Sequence, residues 1–153
     1  MTIRKATLDD VKGITKLLYH LFTQEAEFVF DKKLHKKALR KIIRDNSIGE
    51  IFVIVKNDKI VGCVNILYTI STALGGTVAI LEDMILAPKY RGKSLGSKLL
   101  KHTIKYLTKK QIQRITLLTD KDNYKAHQFY EKLHFSPSEM IVYRQLLKNK
   151  SSN

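Results

Sequence analysis

The sequence has little that could cross-link the chain or anchor it in a membrane. Cys63 is the single cysteine among 153 residues, which excludes a disulfide within the chain. Unpaired cysteine is typical of reducing compartments, so we expect a cytoplasmic protein. No apolar run approaches the ~20 residues that span a bilayer, and no membrane partner is expected. The five histidines show no metal-ligand spacing with one another or with the cysteine, so no metal is expected either.

Proline and glycine are also too scarce to form a flexible linker. The two prolines, Pro88 and Pro137, lie far apart, and the seven glycines are spread along the chain. The length of the chain suits one domain. We therefore predict a single domain over residues 1–147, followed by a polar tail at 148–153.

The chain carries a large excess of positive charge, with a formal net charge of +14 at pH 7. Such an excess suits nucleic acid, an anionic membrane surface or a small anion. A lysine-rich surface without a specific partner would give the same excess. Because the basic residues extend from Arg4 to Lys150 rather than forming one block, charge alone selects none of these partners.

The spacing of apolar residues divides the chain into alternating strands and helices. Helical spacing behind polar cap residues predicts helices after Thr7 or Asp9, after Asp31, over 94–108, and from Asp122 or Asn123 to Leu133. Alternating or β-branched runs predict strands at 2–5, 51–55, 60–70, 77–86, 115–118 and 139–147. The order is β-α-α-β-β-β-α-β-α-β. It predicts an α/β fold with a mixed, mostly antiparallel sheet flanked by helices, in which the crossover from the fourth to the fifth strand is parallel.

The segment Tyr90–Gly96 (YRGKSLG) begins the helix of that crossover. The first N–H groups of a helix lack intrahelical acceptors and carry partial positive charge, which suits a phosphate. Gly92 and Gly96 let an anion approach the backbone, and Arg91 and Lys93 add full charges. The same glycines could serve only a tight turn. The spacing fits neither G-x-x-x-x-G-K-[ST] nor G-x-G-x-x-G, which disfavours a nucleoside-triphosphatase or a dinucleotide-binding fold.

Arg91–Gly96 resembles the [RQ]-x-x-G-x-[GA] signature of the GNAT acetyltransferase superfamily. The similarity continues upstream over Leu81–Tyr90 and downstream over Thr119–Asn123 and Ala126–Tyr130, and it ends at Phe135. Around residues 81–96 the sequence is similar to polyamine and thialysine acetyltransferases, and the order of elements agrees with the family over essentially the whole chain.

Two positions depart from the family pattern. Ser94 and His134 stand where the family usually has glycine. If either position requires a left-handed backbone, its side chain costs roughly 1 kcal/mol. Neither change removes a side chain to which the resemblance assigns a catalytic role.

The resemblance implies acetyl-CoA as the co-substrate. Its pantetheine arm would pair with the backbone at the end of the fourth strand. Its pyrophosphate would bind the loop and the first helical turn, and a side-chain amide after the fifth strand would make another contact to the cofactor. The residues implied are Met84, Ile85, Leu86, Arg91, Gly92, Lys93, Ser94, Leu95, Gly96, Ser97 and Asn123. Asn123 is equally suited to cap the helix that follows it, and the two roles are compatible.

The family's reaction needs a group that removes a proton and a group that supplies one. An amine of pKa ~10.4 loses its proton at pH 7 at a cost of about 4.6 kcal/mol, so a base or water chain is required. The resemblance implies Glu82 as base or water-holder, Asp83 as a contact to a cationic substrate, and Tyr130 as the acid for the departing thiolate. Neighbouring strand residues face opposite sides, so only one carboxylate can face the reacting centre unless the strand bulges.

Structural roles remain open for the same side chains. Either carboxylate could pair with a nearby lysine, and Tyr130 could be an ordinary core aromatic. Glu25 and Glu27 lie between the first two helices, where the family commonly lines its acceptor pocket, and they are candidate substrate contacts or part of a solvated loop.

The resulting prediction is an N-acetyltransferase that moves the acetyl group of acetyl-CoA to a primary amine by direct attack. A small-molecule amine is the favoured acceptor, and a homodimer is compatible with the sequence. The alternative is a basic domain of the same fold that binds acyl-CoA or nucleic acid without turnover. The basic residues of 32–44 suit that alternative, although a solvated helix face explains them equally well. Glu82, Asn123 and Tyr130 beside the loop favour the enzyme, and nucleic acid is not the expected partner.

Overall fold

A computed structural model of the chain describes residues 1–23 and 29–147. Glu25, Glu27 and the polar tail lie outside the described residues. The strands are β1 Thr2–Lys5, β2 Gly49–Lys56, β3 Lys59–Ser71, β4 Gly76–Leu86 and β5 Ile115–Leu117. The helices are α1 Val11–Phe22, α2 Lys32–Arg44, α3 Leu95–Lys109 and α4 Tyr124–Glu131, with short 3₁₀ turns at Leu8–Asp10 and Pro88–Tyr90. In these ranges no helix is both long and apolar enough to cross a membrane.

The five strands form one sheet in the order β1-β2-β3-β4-β5. The first four pair antiparallel, and β5 pairs with β4 in parallel, as the predicted crossover through α3 requires. The mixed, mostly antiparallel sheet with flanking helices is confirmed.

The second strand shows how the sheet separates two apolar cores. Phe52 and Ile54 pack in a cluster with α3, whereas Ile51 and Val53 pack on the other face with α1 and α2. The exposed fraction of each is 2% or less. Because neighbouring strand residues point to opposite faces, a continuous apolar run fills both cores.

Local cap chemistry sets where the first two helices begin. The Asp31 carboxylate accepts hydrogen bonds from the backbone N–H groups of Lys33 and Leu34 at 2.9 and 3.0 Å, as the predicted cap should. At the other helix, Thr7 and Asp10 form a capping box around the 3₁₀ turn that leads into α1.

The prediction of a sixth strand at 139–147 is wrong. These residues form no strand, and every residue from Ser136 to Leu147 is exposed. Strand propensity describes how a side chain fits a paired and half-buried surface, so a segment without a pairing partner does not become a strand.

A buried carboxylate ties α3 to three strands. The Glu50 side chain is 2% exposed and forms ion pairs with Lys5 and, at 3.1 Å, with Lys110. It also accepts hydrogen bonds from the hydroxyl groups of Tyr68 and, at 2.7 Å, Tyr106. Burial alone would raise the pKa of Glu50, but these four partners together outweigh burial and lower the pKa.

We expect Glu50→Gln to lower the free energy of unfolding at pH 7 by about 2 kcal/mol, because charged hydrogen bonds to a buried group are lost. A carboxyl whose pKa is lowered by folding stabilises the fold above its unfolded value of ~4.3. That contribution disappears as the pH falls through the lowered pKa. Urea unfolding at pH 7 and pH 3.5 should therefore show a gap between wild type and variant that narrows at the lower pH.

Glu131→Gln is the matched control, because Glu131 is exposed at the end of α4. It should unfold like the wild type at both pH values. A Glu50→Gln variant as stable as this control at pH 7 would contradict the stabilising role of the cluster.

Candidate active site

The β4 strand is left with an open edge on the side of β5. The two strands pair only from Ala79 opposite Ile115 to Leu81 opposite Leu117. β4 continues to Leu86, so from Glu82 onward its edge has no strand partner among the described residues. An open edge offers N–H and C=O groups with which an extended ligand can pair. Met84, Ile85 and Leu86, the predicted partners of a cofactor arm, all lie on this edge.

The β4 strand also bulges at Glu82. In the pairing with β3, Asn65 is opposite Asp83 and Ile66 is opposite Leu81, so Glu82 has no opposite residue. The bulge satisfies the condition under which both carboxylates can approach one centre. Glu82 is exposed, whereas Asp83 is partly buried.

Side chains beyond the bulge alternate between the two faces of the sheet. Met84 and Leu86 pack against the core beneath α3, and Ile85 packs in the core beneath α1 and α2 with Cys63. Burial first, and then the nearby Asp83 carboxyl, raises the pKa of the Cys63 thiol. Asp83 therefore lies on the α1 and α2 side of the strand, opposite to Met84 and Leu86. Cys63 is a packed thiol that is not suited to nucleophilic chemistry.

Asp83 is held by a buried amide. The Asn65 side chain donates a hydrogen bond from Nδ2 to Asp83 Oδ2 at 3.1 Å, and Asn65 is 6% exposed. Burial raises the pKa of Asp83 to about 6, and the charge of Glu82 adds to the rise, while the Asn65 hydrogen bond opposes it. The Oδ1 atom of Asn65 is buried and has no hydrogen-bond partner among the described residues. It is an acceptor that a ligand N–H group could use.

A cavity of about 440 Å³ lies on the other side of β4, between the loop before α3 and helix α4. Seven of the predicted cofactor-binding residues line it: Leu86, Arg91, Gly92, Ser94, Leu95, Gly96 and Ser97. Met84, Ile85, Lys93 and Asn123 do not line it.

The loop presents the start of α3 to this cavity. The first N–H of the helical ladder is that of Lys98, which donates to the Ser94 carbonyl at 3.1 Å. The N–H groups of residues 95–97 precede the ladder and are available to an anion. Arg91 Nε donates to the Leu86 carbonyl at 3.1 Å, which fixes the loop against the end of β4. Gly92 and Ser94 both have a left-handed backbone, with φ of 70° and 57°.

The floor of the cavity is the apolar surface where Leu86, Gly96 and Phe129 line it. A Cβ atom at Gly96 would lie 3.4 Å from Leu86 Cδ1 and 3.5 Å from both Met84 Cε and Phe129 Cε2. Glycine here leaves the space next to the helix N-terminus open. The donor set and the apolar floor fit a ligand that combines phosphate groups with a thin aliphatic arm.

One face of α4 completes the cavity, and sequence reasoning missed it. Lys125, Gln128, Phe129 and Lys132 line the wall opposite the loop. Their spacing is that of a single helix face, and two of them are cations. The spacing of these four residues could have predicted this face of the helix, because Phe129 by itself is typical of an ordinary core residue.

The remaining predicted residues of α4 have different surroundings. Asn123 Oδ1 accepts the N–H of Ala126 at 3.2 Å, so Asn123 caps the helix. Tyr130 packs edge-on against Phe129 and Phe135, with ring centroids 5.2 and 5.7 Å apart. Burial raises the pKa of Tyr130. Its hydroxyl has no hydrogen-bond partner within residues 1–23 and 29–147.

Known proteins resemble this chain over most of its length. An uncharacterized N-acetyltransferase of Methanocaldococcus jannaschii is 26% identical over 141 residues, which cover 92% of this chain and 62% of the relative. The chain therefore spans less than two thirds of that relative. The uncharacterized N-acetyltransferase YhfO of Bacillus subtilis is 28% identical over 86% of this chain and 87% of its own.

A solved structure and a family model complete the comparison. A possible acetyltransferase from Clostridium difficile 630 has the same fold, with a TM-score of 0.86 and 23% identity over 97% of this chain and 98% of its own. The model of the Acetyltransferase (GNAT) family matches residues 15–135, from within α1 to the point where the chain leaves the core. The chain belongs to the GNAT family of acetyltransferases.

Proposed function

We propose that this chain transfers the acetyl group of acetyl-CoA to a primary amine, with a small-molecule amine as the favoured acceptor. The amine nitrogen bonds to the thioester carbonyl carbon, the carbon–sulfur bond breaks, the amine loses a proton and the sulfur gains one. The observation that carries the proposal is the open edge of β4 beside a cavity at a helix N-terminus. Acetyl-CoA supplies the activated acetyl group, and its use is typical of the family.

The proposed cofactor contacts follow the cavity. The N–H groups at the start of α3 and the cations Arg91, Lys125 and Lys132 suit the pyrophosphate and the outer phosphate. The β4 edge at Met84–Leu86 suits the two amides of the pantetheine arm. A backbone N–H on that edge would also polarise the thioester carbonyl.

The proposed proton acceptor is a carboxyl group at the β4 bulge. The sequence hypothesis assigns this role to Glu82 and a substrate contact to Asp83. Asp83 has the properties of a base near neutral pH, because its pKa is raised to about 6 and Asn65 orients it. Glu82 is exposed and suits the attraction of a cationic amine. We therefore propose Asp83 as the acceptor of the proton, with Glu82 as the competing assignment.

Tyr130 is the proposed donor to the departing sulfur. Its raised pKa keeps the hydroxyl protonated at neutral pH, and its hydroxyl is not engaged by another described residue. A hydrogen bond to the developing thiolate stabilises the charge where it forms.

The experiment that tests the function measures release of free CoA thiol from acetyl-CoA against polyamines, amino acid derivatives, aminoglycosides, peptides and proteins. Turnover on small amines supports the proposal. Binding of acetyl-CoA with no turnover on any acceptor, together with a salt-sensitive nucleic-acid complex, would favour the non-catalytic alternative. Absence of acetyl-CoA binding at physiological concentration would overturn the proposal.

We expect Tyr130→Phe to lower kcat by about 100-fold, which is the lower end of the range for a general acid. Tyr124→Phe is the matched control, because Tyr124 is on the same helix and is 71% exposed. Steady-state kinetics on the best acceptor would check both variants. Equal kcat values for Tyr130→Phe and the control would remove Tyr130 from the mechanism.

A further inference from the structure

Helix α2 carries a concentration of positive charge that no acidic residue interrupts. Its 13 residues read KKLHKKALRKIIR, in which every charged side chain is a lysine or an arginine. All of these side chains are exposed except that of Lys36, which is partly buried. We call the set the α2 cation face: Lys32, Lys33, Lys36, Lys37, Arg40, Lys41 and Arg44.

The α2 cation face forms two rows along the helix. One row occupies positions 32, 36, 40 and 44, and the other occupies positions 33, 37 and 41. Neighbours within a row are about 6 Å apart along the helix axis, and the two rows diverge by about 100° around it. The other side of the helix is buried in the core beneath α1 and α2 through Leu39 and Ile42. The cations therefore cover the half of α2 that faces away from the protein.

This arrangement is unfavourable for the helix itself. A helix face that only contacts water typically carries charges of both signs, which support one another. Like charges four residues apart destabilise a helix instead. Lys32 and Lys33 also lie in the first turn, which contains no acidic residue, and there they oppose the helix dipole.

The protein does not compensate these charges with ion pairs. Among the described residues, the basic side chains in ion pairs are Arg4, Lys5 and Lys110. The two carboxylates that flank α2 have other partners. Asp31 accepts hydrogen bonds from backbone N–H groups of the first turn, and Asp45 accepts them from the N–H and hydroxyl groups of Ser47. A bound polyanion would supply the missing negative charge.

We infer that the α2 cation face binds the phosphate backbone of double-stranded DNA. Two diverging rows of cations can reach the two phosphate chains on either side of a groove, whereas a flat surface would meet only one row well. A helix with its side chains is about 10–12 Å across and fits the major groove, which is about 12 Å wide. Phosphate contacts carry no sequence information, so the binding is not specific for sequence.

Other polyanions fit the α2 cation face less well. A helix that binds a membrane surface inserts its apolar face among the lipids, but the apolar face of α2 is buried in the protein. Single-stranded nucleic acid stacks its bases on aromatic side chains, and α2 contains no Phe, Tyr or Trp. The major groove of duplex RNA is too narrow for side chains to enter.

The inference does not depend on the proposed acetyl transfer. The α2 cation face and the cavity at the start of α3 lie on opposite faces of the sheet. A variant that loses DNA binding should therefore keep the wild-type rate of CoA release with a small amine. DNA binding by a chain without turnover would leave this inference intact and overturn only the proposed function.

The test measures the fluorescence anisotropy of a labelled DNA duplex of about 20 base pairs and mixed sequence. Between about 50 and about 200 mM salt, seven phosphate contacts would give a slope of about −6 for the logarithm of the binding constant against that of the salt concentration. Replacing Lys33, Lys37 and Lys41 together by Gln should make the slope shallower by about 3, or about 1 per lysine. Binding at the lowest salt should weaken at least about tenfold.

The triple variant should remain folded. Glutamine forms helices about as well as lysine, and the substitution removes like-charge pairs. Its melting temperature should equal or exceed that of the wild type, so a loss of DNA binding would not reflect a damaged helix.

The matched control replaces the corresponding row of α3 by Gln. Lys101, Lys105 and Lys109 are exposed, have the same spacing of four residues and lie on the other face of the sheet. The change in net charge is the same, but screening over about 8–10 Å limits the effect of distant charges, so the control should bind DNA nearly as tightly as the wild type.

Three outcomes would overturn the inference. The first is an absence of DNA binding by the full chain at about 50 mM salt. The second is an equal loss of affinity in the α2 and α3 triple variants, which would mean that net charge rather than this helix face attracts DNA. The third is tighter binding to a duplex RNA of the same sequence, or to vesicles that contain phosphatidylserine, than to the DNA duplex.

Discussion

Gly96→Glu should weaken acetyl-CoA binding by at least about 100-fold, equivalent to ~2.7 kcal/mol. The new side chain would start 3.4–3.5 Å from Leu86, Met84 and Phe129 and would occupy the floor of the cavity. It would also place a negative charge beside the N–H groups that suit the pyrophosphate, and like charges in an interface cost several kcal/mol. Isothermal titration calorimetry with acetyl-CoA measures the loss directly.

Gly96 is buried in the first turn of α3, and the new carboxylate would start against apolar side chains. A carboxylate near a helix N-terminus is favourable, but burial of a charge against apolar groups costs more, so the melting temperature should fall. Loss of binding in a variant that still unfolds cooperatively above the temperature of the titration would locate the effect in the cavity.

Two variants control the result. Gly96→Ala adds only a methyl group at ordinary contact distance and should cost little affinity. Thr108→Glu makes the same change in net charge at the exposed far end of α3 and should bind acetyl-CoA like the wild type. If Gly96→Glu binds as tightly as Thr108→Glu, the cofactor does not occupy this cavity.

Local chemistry made much of the fold predictable. The Asp31 cap and the continuous apolar run of β2 depend on neighbours in sequence, and both are as expected. At Ser94 and His134 a left-handed backbone could be stated from the sequence only as a condition, and both residues have one, with φ of 57° and 67°. Each of these features is decided within a few residues of the chain.

Features that depend on distant pairing were less predictable. The last segment has the side chains of a strand, but a strand forms only where another strand offers an edge. The Asn65–Asp83 hydrogen bond depends on a register shift between β3 and β4. No residue type in either strand predicts that shift. From the sequence, a bulge at Glu82 could be given only as the condition under which both carboxylates face the reacting centre. For the same reason the sequence could not rank the two carboxylates as bases.

Asp83→Asn should lower kcat/KM by about 100-fold and should remove a pH dependence centred near pH 6. In the wild type, Asp83 with a pKa of about 6 is protonated below that pH and cannot accept a proton. The value of kcat/KM should therefore fall as the pH decreases through 6 and should level off above it. A free amine of pKa ~10.4 does not titrate in this range, so the substrate does not produce this acidic limb of the pH profile, the fall in kcat/KM below pH 6.

The contribution of Asp83 to the free energy of unfolding changes with pH in the opposite direction from that of a paired surface carboxylate. Folding raises the pKa of Asp83, so its contribution to stability is complete below the unfolded value and is lost as the pH rises through about 6. An uncharged amide avoids that cost. Asp83→Asn should thus melt at the same or a higher temperature than the wild type at pH 8, which separates a lost base from a damaged fold.

Glu82→Gln decides between the two carboxylates. It lowers the negative charge at the bulge, and because that charge helps to raise the pKa of Asp83, the limb should move to slightly lower pH while persisting. Initial rates from pH 5 to pH 8 for wild type and both variants give the comparison. A limb that persists in Asp83→Asn and vanishes in Glu82→Gln would assign the base to Glu82, with Asp83 left as a contact to the cationic substrate.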